Sequence, residues 1–457
     1  MIERLALFGA TGDLTGRYLL PALATLGSRG LLPDRFQIVG AAQSELDDQR
    51  YRAFAAERLE QHAVDLPATA RDDLLRRLRY RPVDLSDPAS VAAVVGDGTG
   101  PVAAYLALPP GVYHTAIRSL AQVQLPVGSR IVLEKPFGAD LDDAVALNQL
   151  ITQVFGDSAE QTVFRVDHVL GLATVQNLLT LRTANRIFEP VWNDHHIEEI
   201  ALYWEEDLAL EGRAGYFDRA GILRDVMQNH LLQVLAVITM ELPEPLAEPE
   251  LSDRKVETLR SIRVLRPEEA ATRTRRARYR AGQIPGPDRE RKVMSYVDEE
   301  GVDPDRGTET FAELLLNLDH PRWSRTQFRL RAGKALRQQR MEAVIRFRPA
   351  HPGEQANQLR IGLDSPEDIC LQLTGGIALP PQQQLAPLTL TAPPPDTELP
   401  AYGRVLLGIL TGDSTLAVRG DEAEVSWQAM MPVLQAWADG KVPLEEYPAG
   451  SSGPPPL

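Results

Sequence analysis

One cysteine, Cys370, is the whole thiol content of these 457 residues. A single thiol excludes an internal disulfide framework and a cysteine-based metal cage, and it fits a reducing cytoplasm. Long apolar runs are missing too. No stretch is long enough to span a bilayer, and Met1-Ile-Glu-Arg-Leu5 lacks the charged-then-apolar layout of a signal peptide. Basic residues are outnumbered, 48 Lys and Arg against 63 Asp and Glu, for a formal net charge of −15. That balance disfavours general nucleic-acid binding and repels an anionic ligand at long range, so any such ligand needs a locally basic pocket. The densest basic run, Arg273-Thr-Arg-Arg-Ala-Arg-Tyr-Arg280, is flanked by acidic residues. It reads as a solvated connection rather than a polyanion site.

Hydrophobic residues make up 44% and charged residues 24%, the balance of a soluble globular protein. The length exceeds one ordinary core, so two domains are expected. In the first third, short apolar strands (Leu5–Phe8, Phe36–Val39, Val102–Leu108, Arg130–Leu133) alternate with helical patterns such as Leu19, Leu20, Leu23 and Leu26. That alternation implies a parallel sheet with right-handed crossovers. Beyond residue 170 the texture changes. A helical stretch, Ile222–Met240, is followed by period-two segments at Phe328–Arg331, Ala343–Phe347 and Gln358–Leu363, the mark of antiparallel strands with one covered face. The expected fold is α/β: an N-terminal Rossmann-like dinucleotide-binding domain over 1–166, then an α+β domain with a large, mainly antiparallel sheet over 167–445. The second domain would carry substrate binding, catalysis and dimerisation. Leu379–Pro400 is rich in proline and glutamine, and 446–457 is expected to be a flexible tail.

Gly9-Ala-Thr11-Gly12-Asp13-Leu14 joins the first strand to the first helix. Glycines there let the backbone approach a pyrophosphate, which the unpaired N–H groups of a helix N-terminus favour. The spacing is not the strict dinucleotide fingerprint, and a tight structural turn is the competing account; the position after the first strand favours the cofactor. The second strand ends at Gln43, where an acidic residue would bind a ribose 2′-hydroxyl and an arginine a 2′-phosphate. Gln43 does neither strongly. Tyr105-Leu-Ala-Leu-Pro109-Pro110 and Glu134-Lys135-Pro-Phe-Gly138 close further strands, where open α/β sheets bind ligands. Lys135 is therefore placed to meet the cofactor or a substrate oxygen, against the alternative of a surface lysine before a proline turn.

Two stretches carry a carboxylate and an imidazole among apolar residues: Phe164-Arg-Val-Asp167-His168-Val-Leu-Gly171 and Gly221-Ile-Leu-Arg-Asp225-Val-Met-Gln-Asn-His230. Ionisable groups in such settings need a partner or a task. His230 shares a helical stripe with Leu223, Met227, Leu231, Val234, Leu235 and Ile238, which points it to the covered side. A histidine there is commonly a satisfied core residue; Asp225 and Asn229, one turn apart beside the stripe, weaken that account. An aspartate such as Asp167 would fix the tautomer of a histidine base and stabilise the imidazolium.

Beyond these two, further stretches share one resemblance. They are Val175-Gln-Asn177, Asn185-Arg-Ile-Phe188 with Trp192-Asn193, Glu211-Gly-Arg-Ala-Gly-Tyr-Phe217 and Arg331-Ala-Gly-Lys-Ala-Leu336. With the glycine turn, Glu134–Gly138, Arg165–His168 and Arg224–His230, they make the chain resemble glucose-6-phosphate dehydrogenases from Leu5 to about Trp437. The resemblance implies that His230 is the general base for the anomeric hydroxyl and Asp167 its orienting carboxylate. It implies that Lys135, Glu206, Asp225 and Lys334 hold sugar hydroxyls, with Lys135 near both ligands, and that His168 is an arm of the substrate-phosphate site. The cofactor, NADP or NAD, would be held by Gly9, Thr11, Gly12, Asp13, Leu14, Gln43, Pro109 and Lys135. No metal is required. A cytoplasmic homodimer or homotetramer acting in carbohydrate metabolism (the pentose phosphate pathway), with no membrane or nucleic-acid partner, is the further implication.

The departures from the family cluster on phosphate recognition. Val169 and Leu172 occupy slots that usually hold tyrosine and lysine, and Gln339 stands where arginine is common, beside Arg340. In the cofactor half, Gly16 replaces the usual lysine of the turn, and Gln43 takes the slot of the arginine that favours NADP, which leans the preference to NAD. Each lost charge-assisted bond to a dianion costs ~1.5–3 kcal/mol, unless nearby arginines compensate. Three readings follow: oxidation of glucose 6-phosphate at C1; the same chemistry on an unphosphorylated or differently substituted sugar with NAD; and a silent sugar- or nucleotide-binding homologue, against which the retained acid–base residues argue.

Overall fold

The computed structural model describes residues 1–457 except 97–99, 211, 213, 287–289, 352, 365–367, 378–383 and 394–398. Two compact units emerge: Met1–Leu172 with Pro245–Ser252 and Thr397–Glu424, and Ala173–Glu244 with Asp253–Asp396 and Val425–Leu457. The first unit thus runs slightly past residue 166 and recruits two later segments that the linear reading gave to the second. Such recruitment has no local sequence signal.

The first unit is built on β1 (Arg4–Phe8), β2 (Gln37–Ala42), β3 (Leu78–Pro82), β4 (Val102–Leu106), β5 (Arg130–Glu134) and β6 (Val163–Val166). All six are parallel, in the order β6-β5-β4-β1-β2-β3. This is the doubly wound arrangement, whose crevice lies between β1 and β4 where the strand order reverses. Strands covered on both faces must be apolar along their length, and Val102–Leu106 is buried at every position. A short antiparallel strand from the recruited segment, Ala417–Val418 (β17), closes the β6 edge.

The second unit carries β7 (Ile197–Glu205), β8 (Thr274–Arg280), β11 (Phe311–Leu316), β12 (Gln327–Gly333), β13 (Arg340–Phe347), β14 (Gln358–Gly362), β15 (Ile369–Ile377), β16 (Gln384–Ala392) and β18 (Leu444–Pro448). They form a nine-stranded sheet in the order β16-β15-β14-β13-β7-β12-β11-β8-β18. A two-stranded ribbon, β9 (Gly282–Ile284) with β10 (Arg291–Val293), stands apart. The large sheet is mainly antiparallel, as the period-two segments implied; β7–β12 and β8–β18 are its parallel pairs.

Two expectations are revised. The basic run is strand β8, not a connection: Arg275 and Arg278 pair with Glu445 and Glu446 of β18 at 3.1 and 3.5 Å, so the acidic neighbour that neutralises it comes from across the sheet. The expected flexible tail is pinned, because Arg331 donates to the carbonyls of Ser452 and Pro454 at 2.8 and 3.1 Å. Within Leu379–Pro400, Gln384–Ala392 is strand β16, while 378–383 and 394–398 lie outside the described residues.

Candidate active site

In the first unit every expected site residue sits at the carboxyl end of a parallel strand. Gly9 follows β1 with φ +81°, and a Cβ there would lie 2.0 Å from the Ala107 carbonyl oxygen, so only glycine fits. The Gly9 N–H donates to the Ala41 carbonyl at 2.8 Å, and its own carbonyl accepts from Gly12 N–H and Thr15 Oγ1 at 2.9 and 3.0 Å. Thr11 and Leu14 are half-buried, whereas Gly12 and Asp13 face solvent at the head of the first helical segment. Pro109, exposed, follows Ala107, whose N–H bonds the Phe8 carbonyl at 3.0 Å. The glycine turn and the Pro109 loop therefore lie side by side at the β1/β4 switch point. Exposed backbone and close-packed glycine there fit a dinucleotide pyrophosphate.

Gly16 has a packing reason. A Cβ there would come within 2.9 Å of Arg58 Cγ and Cδ, so an arginine stem from the helix Asp48–His62 fills the space a lysine stem would need. Gln43 is exposed just past β2, and the arginines Arg79 and Arg81 of neighbouring β3 each reach Asp48 at 3.6 Å.

Lys135 is half-buried after β5. The residue before it, Glu134, was not singled out from the sequence. Its carboxylate is buried and accepts the Tyr105 hydroxyl, and its carbonyl accepts the Tyr113 hydroxyl at 2.7 Å. Burial pushes this carboxyl up to about 8; the Tyr105 bond opposes that rise and the charge of Asp167 adds to it. Asp167, fully buried after β6, accepts the Val169 N–H at 3.1 Å. His168 stacks on Tyr402 with centroids 5.2 Å apart and planes at 14°, and Tyr402 meets Tyr18 at 5.5 Å. Tyr402 arrives on the recruited helix Ala401–Thr411, a partnership with no signal in the local sequence. Val169 is fully buried, so its slot offers no polar group to a ligand.

In the second unit, the helical turns from Ala214 break at Gly221 (φ 69°, ψ 168°), and beyond it a π-helical stretch over Leu223–Leu231 continues into the helix Leu232–Thr239. His230 is 3% exposed, but so is nearly everything around it: Asp225, Gln228, Asn229 and Gln233 are buried as well. The expected one-sided stripe is therefore a helix covered all round, and its polar residues need partners. The Asn229 side-chain Nδ2 donates to the Arg224 carbonyl at 2.9 Å, and its Oδ1 accepts the His230 N–H at 2.7 Å. The His230 ring stacks on Trp204 of β7 at 5.2 Å.

Both ends of this helix are anchored. At its start, buried Glu309 accepts the Leu223 N–H at 3.1 Å, where a carboxylate complements the orphan N–H groups. Burial raises the pKa of Glu309. At its end, the indoles of Trp192 and Trp323 donate to the carbonyls of Ile238 and Thr239 at 2.8 and 2.7 Å. Buried Arg182 donates to those of Ile238 and Met240 at 3.2 and 2.9 Å. The Trp192 motif is thus a cap for the helix carrying His230.

Glu206 and Lys334, 128 residues apart, are brought together at 2.5 Å, because parallel β7 and β12 end side by side. Lys334 also lies over the Phe217 ring at 5.3 Å, and Asp225 meets the Tyr216 hydroxyl at 3.4 Å. Gln339 and Arg340 turn elsewhere: Gln339 donates to Asp364 and Arg340 to Glu342, each at 2.6 Å. Of the motif Glu211–Phe217, Glu211 and Arg213 lie outside the described residues.

Comparison with known proteins divides the chain linearly, close to the end of the first unit's N-terminal segment. Residues 6–177 match the family described as "Glucose-6-phosphate dehydrogenase, NAD binding domain", and residues 179–457 match "Glucose-6-phosphate dehydrogenase, C-terminal domain". The glucose-6-phosphate 1-dehydrogenase of Zymomonas mobilis is 36% identical over 477 residues, covering 99% of this chain and 96% of its own. That of Treponema pallidum is 36% identical over 482 residues, covering 98% and 92%. A solved glucose-6-phosphate dehydrogenase in complex with glucose-6-phosphate superposes with a TM-score of 0.84 at 30% identity, covering 99% of this chain and 95% of the other. By the family matches over both halves, by whole-length similarity and by fold, this chain belongs to the glucose-6-phosphate dehydrogenase family of NAD(P)-dependent oxidoreductases.

Proposed function

We propose that this protein oxidises C1 of a hexopyranose, glucose 6-phosphate or a close analogue, to the lactone. In that reading His230 takes the proton of the anomeric hydroxyl as hydride departs from C1, and Asp167 orients the imidazole and stabilises its charge. Lys135, Glu206, Asp225 and Lys334 hold sugar hydroxyls, and His168 faces the substituent at C6. A bound nicotinamide supplies the two-electron acceptor; the glycine turn, Gln43, the Pro109 loop and Lys135 would hold it. The carrying observation is His230 itself, a buried imidazole on a helix anchored at both ends. His230→Asn should lower kcat by ~10²–10⁴-fold with an unchanged circular dichroism spectrum. Undiminished turnover would refute the assignment, and no turnover by the parent on any sugar would favour a binding homologue.

A second reading, supported by particular residues, is a preference for an unphosphorylated sugar with NAD. Val169 is buried, Gln339 and Arg340 are bound to carboxylates, and His168 stacks on the Tyr402 ring. Exposed Gln43 offers a 2′-phosphate no charge. Initial rates on glucose and glucose 6-phosphate with each cofactor separate the two; strong preference for the phosphorylated sugar with NADP eliminates the second.

We read the protein as a cytoplasmic homodimer or homotetramer. Edge strand β16 exposes Leu388 and Leu390, at 48% and 52%, on one face, an arrangement that favours a covering partner. A monomeric mass by light scattering would reject it. Among the described residues no helix is long and apolar enough to cross a membrane.

A further inference from the structure

The turn after β12 carries Lys334 and is an unusual piece of backbone. Ala335, fully buried, has φ +53°, and among the described residues it is the one non-glycine at positive φ. A Cβ disfavours that conformation, so surrounding contacts must impose it. They come from two sides. On one, the Ala335 and Leu336 N–H groups donate to the carbonyls of Leu208 and Glu206 at 2.8 and 2.9 Å. On the other lies segment 444–455. The Tyr447 hydroxyl donates to the Lys334 carbonyl at 2.6 Å, the Gly450 N–H donates to the Ala335 carbonyl at 2.8 Å, and the Arg337 N–H donates to the Ser451 carbonyl at 2.9 Å.

That segment is itself seated in one register. β18 pairs with β8 in parallel from Leu444 to Pro448. Gly450 has φ +81°, and a Cβ there would lie 1.7 Å from the Gln283 carbonyl oxygen. Beyond it, Arg331 holds the Ser452 and Pro454 carbonyls, and Arg275 holds that of Pro455. Tyr447 is buried; its hydroxyl is shared with Thr310 Oγ1 at 3.0 Å, while the Thr310 carbonyl accepts the Lys334 N–H at 2.9 Å.

We propose that segment 444–455 is a strap that sets the 333–337 turn and thereby aims the Lys334 ammonium. Tyr447 is its positioning residue. The inference rests on the reading of Lys334 as a sugar-binding group. Lys334 and Glu206 meet at 2.5 Å, and the same turn bonds the Glu206 backbone, so slack in the turn displaces both groups at once. A strap with only a stabilising role would lower the melting temperature and leave the folded enzyme's affinity for sugar alone.

The test is a double-mutant cycle in the full-length enzyme. The assay uses glucose 6-phosphate, or glucose where that is turned over faster, at saturating cofactor. Tyr447→Phe keeps the ring and removes the hydroxyl's neutral hydrogen bonds to the Lys334 carbonyl and to Thr310 Oγ1, so the sugar KM should rise about fivefold with the cofactor KM unchanged. In a Lys334→Met background the same change should raise the KM only about twofold, since Glu206 alone remains to be displaced. An unchanged sugar KM in Tyr447→Phe, or an equal effect in both backgrounds, overturns the strap's role while Lys334→Met alone still raises KM. If Lys334→Met leaves KM unaltered, the sugar-binding reading of Lys334 fails and the proposal falls with it. Thr310→Val, which removes the hydroxyl partner of Tyr447, is a second route to the same slack and carries the same expectation.

Discussion

Two glycines of one turn should fail in different ways when given a methyl group. At Gly9 the added Cβ would sit 2.0 Å from the Ala107 carbonyl oxygen, and the backbone is at φ +81°. Holding alanine in that left-handed region costs ~1–2 kcal/mol. Relieving the contact to an ordinary ~3.3 Å C···O separation requires a shift of more than ~1 Å. Such a shift breaks the bonds of Gly9 with Ala41, Gly12 and Thr15, at ~1 kcal/mol each. The sum is ~3–5 kcal/mol, which lowers the melting temperature by roughly 6–20 °C in a domain of this size. Gly12 differs: it is exposed, and its added Cβ would meet the Gly9 carbonyl oxygen at 3.1 Å, a contact eased by a few tenths of an ångström. Gly12→Ala should therefore fold within ~1 kcal/mol of the parent. On the proposed reading its methyl stands where a pyrophosphate would approach, and each lost charge-assisted bond (~1.5–3 kcal/mol) weakens dinucleotide binding ~10–150-fold. Thermal melts and titration of cofactor fluorescence measure both quantities. A stable Gly9→Ala protein would refute the packing argument for this turn, and a Gly12→Ala protein with parental cofactor affinity would show that the turn does not hold the dinucleotide.

The buried Glu134 carboxyl, raised to about 8, gives a pH test. An unfolded glutamate ionises near ~4.3, so between that value and about 8 the folded state keeps a proton the unfolded chain has released. This contribution to stability is complete below the unfolded value and lost as pH rises to the folded one. Glu134→Gln keeps an acceptor for Tyr105 and removes the titration, so variant stability minus parent stability should climb by a few kcal/mol at most (~1.4 per pH unit) from pH 5 to pH 8. A difference independent of pH rejects this. Arg182→Ala strips the last carbonyls of the His230 helix of a buried donor and leaves Glu189 with one guanidinium partner, Arg322, in place of two. It should cost ~3–5 kcal/mol by urea unfolding. A loss under 1 kcal/mol would mean the two indoles cap the helix unaided.

The first sheet was legible because strands covered on both faces must be apolar throughout, and their turns must carry glycine or proline. The antiparallel segments were legible because a half-covered strand alternates. Hence the residues at the carboxyl ends of β1, β4, β5 and β6 follow from the sequence pattern alone. The helical spacing likewise put His230 on the covered side of a helix, although that helix proved to be covered on every side, and only tertiary packing decides that.

Contacts between residues far apart in the chain were beyond periodicity. Glu206 and Lys334 meet because two strands lie parallel, a choice of topology that no local window contains. Tyr402 reaches His168, and Tyr447 reaches Lys334, only once distant segments fold back. The basic run Arg273–Arg280 shows the same limit, since its composition announced charge while the neutralising carboxylates lay on a strand more than 160 residues on. Local residue types fixed which atoms could do chemistry, because donor, acceptor and backbone freedom belong to the residue itself. Burial, pairing and aim were settled by the fold, because they depend on what the rest of the chain brings alongside.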